Sequence, residues 1–534
     1  MDGMLLIPIA LPMAAGLVML IGSFAEHLKG TAAAPGKPSG RKADGRSGSS
    51  PWVRLFAAVV LLVSAAAALG VAWTGERDVM LFTLLDTIPI HFHIDRIGRL
   101  FVTVVSVVWL TAGLYSLAYV KREGEEKRYY GFYLLLYGAL VGLDFSGNLI
   151  TMYCFYELMT LVSVPLVLHS GTREAIMAAL KYLFYSMCGA YGGLFGIFFL
   201  NRYCHSLTFA TGGTLNTAAV AGHEGLVLTA VFVMILGFGV KAGMLPLHAW
   251  LPAAHPVAPS PASAVLSGVI VKSGVLAIIR GVYFIVGPAF LRGTWVQYAW
   301  MTLSLLTVFL GSLLAFREDV LKKRLAYSTV SQVSYILFGL SLLAPTALSG
   351  ALLHVAVHAA VKCGLFLTAG TFLYQFGYAR VEQLTGMGRR MPTVLWCYTL
   401  LSLALIGIPP TGGFLSKWYL AEGALQSGAG AFAWLGPAVL LLSALLTAGY
   451  LLPVAMKGFF PGEGKDFEGS HFGAINGNGE KPNGKNLKKE KLPRSMVIPL
   501  VVLAALSLLM GLFPEALTRY VTDAAAWIFG EVVK

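Results

Sequence analysis

Charge is scarce in this 534-residue chain: Asp, Glu, Lys and Arg make up 12% of it, hydrophobic residues make up 57%, and the mean hydropathy is +0.73. No sustained run of mixed polar sequence interrupts the apolar stretches, which excludes an extramembrane catalytic domain and points to a polytopic membrane protein. Cysteine is scarce too. The five present (Cys154, Cys188, Cys204, Cys363 and Cys397) are scattered with no CxxC pairing. That spacing offers no iron–sulfur, zinc or haem-attachment framework, so they read as small core residues. No positively charged region precedes the apolar residues 4–24, and basic residues follow them, so this stretch reads as a retained first span rather than a signal peptide.

What is present is a recurring apolar run near the ~20 residues that cross a bilayer as helix, about fourteen times over. The expected fold is an all-α polytopic membrane protein. Acid is scarcer than base, 26 residues against 39, for a net charge of +13. Placement explains the excess. With the N-terminus outside, about 26 of the basic residues fall in alternate loops at 26–54, 121–128, 317–324, 380–390 and 457–494, the pattern expected of cytoplasmic loops. Topology therefore accounts for the charge, nucleic acid is not an expected partner, and both termini are predicted on the outer side of a cell membrane. The Gly/Ser/Pro/basic stretch 29–51 and the polar stretch 461–494 are too polar to bury anything and read as cytoplasmic linkers. His91 and His93 would share one face of a strand, but without further clustered ligands no metal is expected there.

The chain is organised around residues 237–280, where an apolar helix carrying Lys241 meets a break at Leu245-Pro246. A segment with His248 and His255 follows, then a second apolar helix with Lys272. A cation at the centre of a membrane helix costs about 2.5–3.5 kcal/mol on insertion scales, so it is paired, hydrated or functional. Broken backbone at that depth is tolerated only against protein or a water-filled cavity. Charge and break together predict an ion path. Glu157 lies inside the fifth span with no charge in its own helix to pair with. Lys181 sits two turns from a helix end, where snorkelling to the headgroups competes with a functional role. In span eleven His354, His358 and Lys362 recur at four-residue steps and line one face. Span twelve breaks at Pro409-Pro410 and Gly412-Gly413 before Lys417 and Glu422.

Lys362 follows Lys181, and Lys417 follows Lys241, by about 180 residues in each case, which predicts a duplication of a five-span unit; an odd number of spans makes the copies inverted. The expected domains are 1–128 with spans one to three, 129–288 as the first half-channel, 295–460 as the second, 461–494 as linker, and 495–534 as span fourteen with a short outer tail. The copies are unequal, since nothing acidic in span ten answers Glu157 and no lysine in span thirteen answers Lys272.

Four motifs, KAGMLPLHAWLPAAHPVAPSPASAVLSGVIVKSG, LKKRLAYSTVSQ, HVAVHAAVKCGLF and GIPPTGGFLSKW, stand in this order. They closely resemble the antiporter-like membrane subunits shared by respiratory NADH:quinone oxidoreductase, Mrp cation/proton antiporters and energy-converting, formate-hydrogenlyase-type hydrogenases. The resemblance covers about residues 80–460, and the first motif is nearest in wording to the hydrogenase members. It implies that Glu157 and Lys241 form the ion pair of the first half-channel and that Lys272 links the halves. His354, His358 and Lys362 would continue the proton wire to Lys417, with His248 and His255 beside the first break. Some relatives have glutamate where this chain has Lys417, and the long lateral helix of the largest respiratory subunits is not expected after the short tail. A lysine in low dielectric loses proton affinity and a nearby carboxylate restores it, so a Glu–Lys pair that opens and closes can drive proton transfer. The implied function is proton or sodium translocation within a multisubunit redox-driven complex, alongside other membrane subunits and hydrophilic redox subunits. The alternative is an Mrp-type antiporter subunit without a redox partner. No flavin, nicotinamide, nickel or iron–sulfur site is legible, so no cofactor and no redox catalysis are expected in this chain.

Overall fold

A computed structural model of the protein describes residues 2–32, 50–84, 88–462 and 491–530. The two expected linkers, 29–51 and 461–494, fall largely outside the described residues, as do the last four residues of the tail. Hydrocarbon offers the backbone no hydrogen-bond partner, so each apolar run satisfies its own peptide groups as helix. The first two helices are α1 (Ile7–Ala32) and α2 (Pro51–Trp73). The segment with His91 and His93 that follows is an antiparallel hairpin, β1 (Asp78–Leu84) with β2 (Ile88–His93). The Asp95 carboxylate then caps α3 (Arg96–Glu123) by accepting from the Gly98 amide at 2.8 Å.

The first five-helix unit comprises α4 (Glu126–Asp144), α5 (Leu149–Val167), α6 (Arg173–Tyr203), α7 (Glu224–Ala242) with the short α8 (Leu251–Val257), and α9 (Ser260–Val286). The second comprises α10 (Trp295–Arg317), α11 (Leu321–Ser341), α12 (Pro345–Phe376), the broken pair α13 (Pro392–Ile406) and α14 (Gly412–Gln426), and α15 (Phe432–Phe459). Each unit breaks in its fourth span. α7 ends at Gly243 (φ +80°) and α13 at Gly407 (φ +92°), left-handed positions where a side chain would be strained. Last come α16 (Arg494–Leu512) and α17 (Glu515–Phe529).

Among the described residues, eleven helices are long and apolar enough to cross a membrane. Of the fourteen expected passes, the other three fall on α4, on α11 and on the broken pair α13/α14, which are more polar or shorter. Span length thus identified helices, but the count of fourteen is not reproduced by length and composition.

The bundle has two distinct ends. At one, the basic loops meet: Glu26 pairs with Lys127, Arg54 with Glu126 at 3.0 Å, the Leu321 amide donates to the Ala379 carbonyl at 2.9 Å, and the Gly386 amide to the Lys457 carbonyl at 3.0 Å. At the other, the hairpin docks on the α4–α5 turn, the His93 amide donating to the Phe145 carbonyl at 2.8 Å. The expected outer tail is there too, as the amphipathic α17. Its apolar stripe Val521, Ala524, Ala525 and Ile528 is buried, and Arg96 reaches the Asp523 carbonyl at 3.0 Å. The first unit starts at the basic end and the second at the hairpin end, so the units run in opposite directions. At the centre lie α9 and α12, whose most apolar windows are buried throughout, unlike those of the other candidate spans. These two helices carry Lys272, His354, His358 and Lys362.

Candidate functional site

Lys241 sits at the last turn of α7 and is fully buried. Close packing places it there: a Cβ on Gly189 of α6 would come within 2.6 Å of the Gly237 carbonyl of α7, so small residues let the two helices touch. The approach brings the α6 hydroxyls within reach, and Lys241 Nζ donates to Tyr182 at 3.0 Å and to Ser186 at 3.1 Å. Its charge also lies 4.7 Å from the Tyr182 ring. Trp250 of the broken segment packs on Tyr182 and donates to the Val240 carbonyl at 2.8 Å, closing the pocket. Glu157 does not pair with Lys241 in this arrangement. It is half-buried on α5, its Oε1 has no hydrogen-bond partner, and it senses Lys241 only through electrostatics. Lys181 is exposed on the outer face of α6, among Met177, Leu180 and Phe184, and lies outside the buried line. His248 is half-buried within electrostatic reach of Lys181, with Nδ1 unpartnered.

From Lys272 onward polar groups follow one another closely. Lys272 Nζ donates to the Ser267 carbonyl and lies 2.7 Å from His358 Nδ1. The His358 ring stacks on His354 at 5.6 Å between centroids, and His354 Nδ1 is 2.9 Å from Ser416 Oγ. Tyr335 also stacks on His354, and Lys417 Nζ sits 5.1 Å from the Tyr335 ring. Lys417 donates to the carbonyls of Leu405 at 2.6 Å and Ile406 at 2.8 Å. Those carbonyls end α13, where the helix dipole is negative and four carbonyls lack helical partners, so the break itself builds the cation's seat. Lys362 donates to Ser328 and to the Leu325 carbonyl. Thr329 shares that carbonyl and bonds Ser267 at 2.7 Å, tying Lys362 back to Lys272 through neutral groups. His255 stacks on Phe366 with both ring nitrogens unpartnered, within electrostatic reach of Lys322 and Lys362.

The structure therefore joins Lys272, His358, His354 and Lys417, attaches Lys362 to them, and leaves Lys241 in its own pocket. A Cβ on Gly274 of α9 would lie 3.1 Å from Lys241 Cβ, so the two regions adjoin where α7 crosses α9. Among the described residues no carboxylate forms an ion pair with Lys241, Lys272, Lys362 or Lys417.

Sequence reasoning missed the hydroxyls. Tyr182, Ser186, Ser328, Tyr335 and Ser416 carry no charge and are common in cores, so only their contacts single them out. It also read Lys322 as a loop charge, whereas that lysine is buried and donates to the Ala258 carbonyl at 2.8 Å. A second buried set stands at the hairpin end: Asp95 holds Arg280 through both oxygens, one contact at 2.8 Å, with buried Asp144 nearby. An arginine closing an apolar run, and an aspartate closing another, were the signals available for it.

Comparison with known proteins agrees with this architecture. Residues 146–445 match the family described as "NADH:quinone oxidoreductase/Mrp antiporter, TM". The NADH-quinone oxidoreductase subunit N of Desulforudis audaxviator is 33% identical over 493 residues, covering 89% of this chain and 94% of that one. A Na(+)/H(+) antiporter subunit of Bacillus subtilis is 29% identical over 439 residues, 81% of this chain and 82% of that one. A chain in the solved Mrp complex from Dietzia sp. superposes with a TM-score of 0.80 at 23% identity, over 99% of this chain and 97% of that one, which shows a common fold. With that family match over more than half its length and that relative along nearly all of it, the chain belongs to the antiporter-like membrane subunit family of NADH:quinone oxidoreductases and Mrp antiporters.

Proposed function

We propose that this chain is a proton-translocating (or sodium-translocating) membrane subunit of a multisubunit redox-driven complex, of hydrogenase or NADH:quinone oxidoreductase type. The observation that carries the reading is the line from buried Lys272 through buried His358 and His354 to half-buried Lys417, assembled from three separate helices. A relative whose name is NADH-quinone oxidoreductase subunit N, matched along nearly all of both chains, supports a redox-driven partner. The redox centres reside in other subunits, and this chain contributes the ion path.

Each group along the line has a part. An ammonium on Lys272 donates to His358 Nδ1, so His358 carries its own proton on Nε2. Transfer from Lys272 to Nδ1 releases that Nε2 proton toward His354, across a gap that one water or a ring rotation spans. His354 passes charge to Ser416 and the Lys417 site. Lysines held by neutral oxygens rather than by carboxylates lack the partner that would lock their protons in place. Glu157, beside Tyr153 on α5 with Oε1 unpartnered, is the carboxylate whose approach to Lys241 would load that lysine. The protein lies in the cell membrane with its basic end cytoplasmic by the positive-inside rule, and both termini lie at the opposite end.

Lys241→Ala is expected to leave the protein assembled while largely abolishing coupled translocation; full translocation retained in sealed vesicles would sink the assignment. Gentle purification with metal analysis tests the drive: stoichiometric iron and hydrophilic subunits are expected, and only small hydrophobic partners without metal would make it an antiporter subunit.

A further inference from the structure

At the basic end a groove opens between α2, α3, the last turn of α12 and the start of α16. Its volume is about 460 Å³, within the ~300–1,000 Å³ of small-molecule sites. The lining divides by depth. Arg54 in the first turn of α2 and Lys121 in the last turn of α3 supply charge at the helix ends, while Ala58, Leu117 and Ala118, about one turn deeper, supply an apolar wall. Ser495, in the first turn of α16, adds a hydroxyl at the positive end of that helix. Lys121 is exposed and forms no ion pair among the described residues, and Arg54 uses only Nη1 on Glu126.

The groove lies on the bundle's outer surface, since the neighbouring Leu55 is 54% exposed and Trp52 76% exposed. Tryptophan at a helix end marks the headgroup level. Cations at that level above a small-residue apolar trough match an amphiphile with an anionic head and a hydrocarbon tail, and basic pockets between membrane helices are where such lipids are recognised.

We propose that this groove is a binding site for one anionic phospholipid of the surrounding bilayer. The headgroup phosphate meets Lys121 and Arg54, and an acyl chain runs down Ala58, Leu117 and Ala118. A soluble anion would use the cations and leave the trough idle, and a zwitterionic lipid would fill the trough but bring its own ammonium to the cations.

The test is native mass spectrometry of the full-length chain, purified with its membrane partners and equilibrated with equal amounts of phosphatidylglycerol and phosphatidylcholine. The expected result is one retained phosphatidylglycerol. Occupancy should fall about five-fold in Lys121→Gln, further in Lys121→Glu, and hold in Lys121→Arg, as expected for one cation at an anionic headgroup. Ala118→Trp, which fills the trough and keeps both cations, should also expel the lipid. Equal retention of the two lipids, unchanged occupancy in Lys121→Glu, or displacement by millimolar inorganic phosphate would each overturn the proposal.

Discussion

The two halves of this protein hold their buried lysines in opposite ways. In the first, Lys241 is alone, held by two hydroxyls that α6 supplies, and its expected carboxylate stands apart on α5. In the second, Lys362 and Lys417 are tied by histidines, hydroxyls and carbonyls into a set that reaches back to Lys272 on α9, the last helix of the first unit. Thr329 occupies the position in α11 that Glu157 occupies in α5, so the second unit places a neutral hydroxyl where the first places a charge. An isolated lysine needs a moving partner to change its proton, whereas a connected one passes protons to fixed neighbours. The first half is thus suited to gating and the second to conduction.

The largest expected effect comes from cutting the connected set at its root, where the two units meet. Lys272→Ala should lower translocation in sealed vesicles by at least about 100-fold, more than His354→Ala, because Lys272 alone bridges Ser267 and His358. Equal effects of the two would erase the distinction between root and branch. Next is stability: Asp95→Asn breaks the buried pair with Arg280 and should cost about 3–5 kcal/mol, read as a lower midpoint in thermal unfolding of the purified protein. Such a loss would show that the hairpin end is a structural clamp rather than part of the conducting set.

A smaller effect tests the isolated half. Tyr182→Phe with Ser186→Ala strips Lys241 of its acceptors and should cost about 1–3 kcal/mol for each unsatisfied contact. By contrast, Lys181→Ala, on the exposed face, should change stability by no more than about 0.5 kcal/mol. A translocation defect in Lys181→Ala as large as that of Lys272→Ala would return Lys181 to the path.

A further effect concerns pH. His169 lies in the turn between α5 and α6, where burial, and then the neighbouring Arg128 charge, push its pKa from 6.5 down to about 4. The unfolded chain therefore binds a proton that the folded chain refuses between those values, and stability should fall as pH drops through that window. His169→Gln should flatten the slope. The equivalent turn of the second unit, Leu342 to Ala344, has nothing to titrate, so a slope that survives His169→Gln would place the sensitivity elsewhere.

Much of this was legible beforehand. The broken spans at Leu245-Pro246 and Pro409-Pro410 and the histidine–lysine face of α12 were readable, because charge and proline inside apolar runs are costly enough to be signals. The hairpin and α17 were not, since short polar connections carry no periodicity strong enough to separate strand or surface helix from loop. The duplication pointed to Lys181 as the counterpart of Lys362, yet one is exposed and the other fully buried. Spacing in the chain fixes a residue's place along a helix, and its burial depends on which neighbours cover that face.

By itself, then, the sequence determined the membrane class, the helices, the inverted duplication and the identity of the costly residues, because hydrocarbon penalises every charge and every unpaired peptide group locally. Only the tertiary structure decided which of those residues connect. His358 meets Lys272 across two helices, Lys417 finds the carbonyl end of α13, and Glu157 stays apart from Lys241. Such contacts depend on how helices distant in sequence pack, and where they touch most closely small residues such as Gly189 and Gly237 leave no room for a side chain.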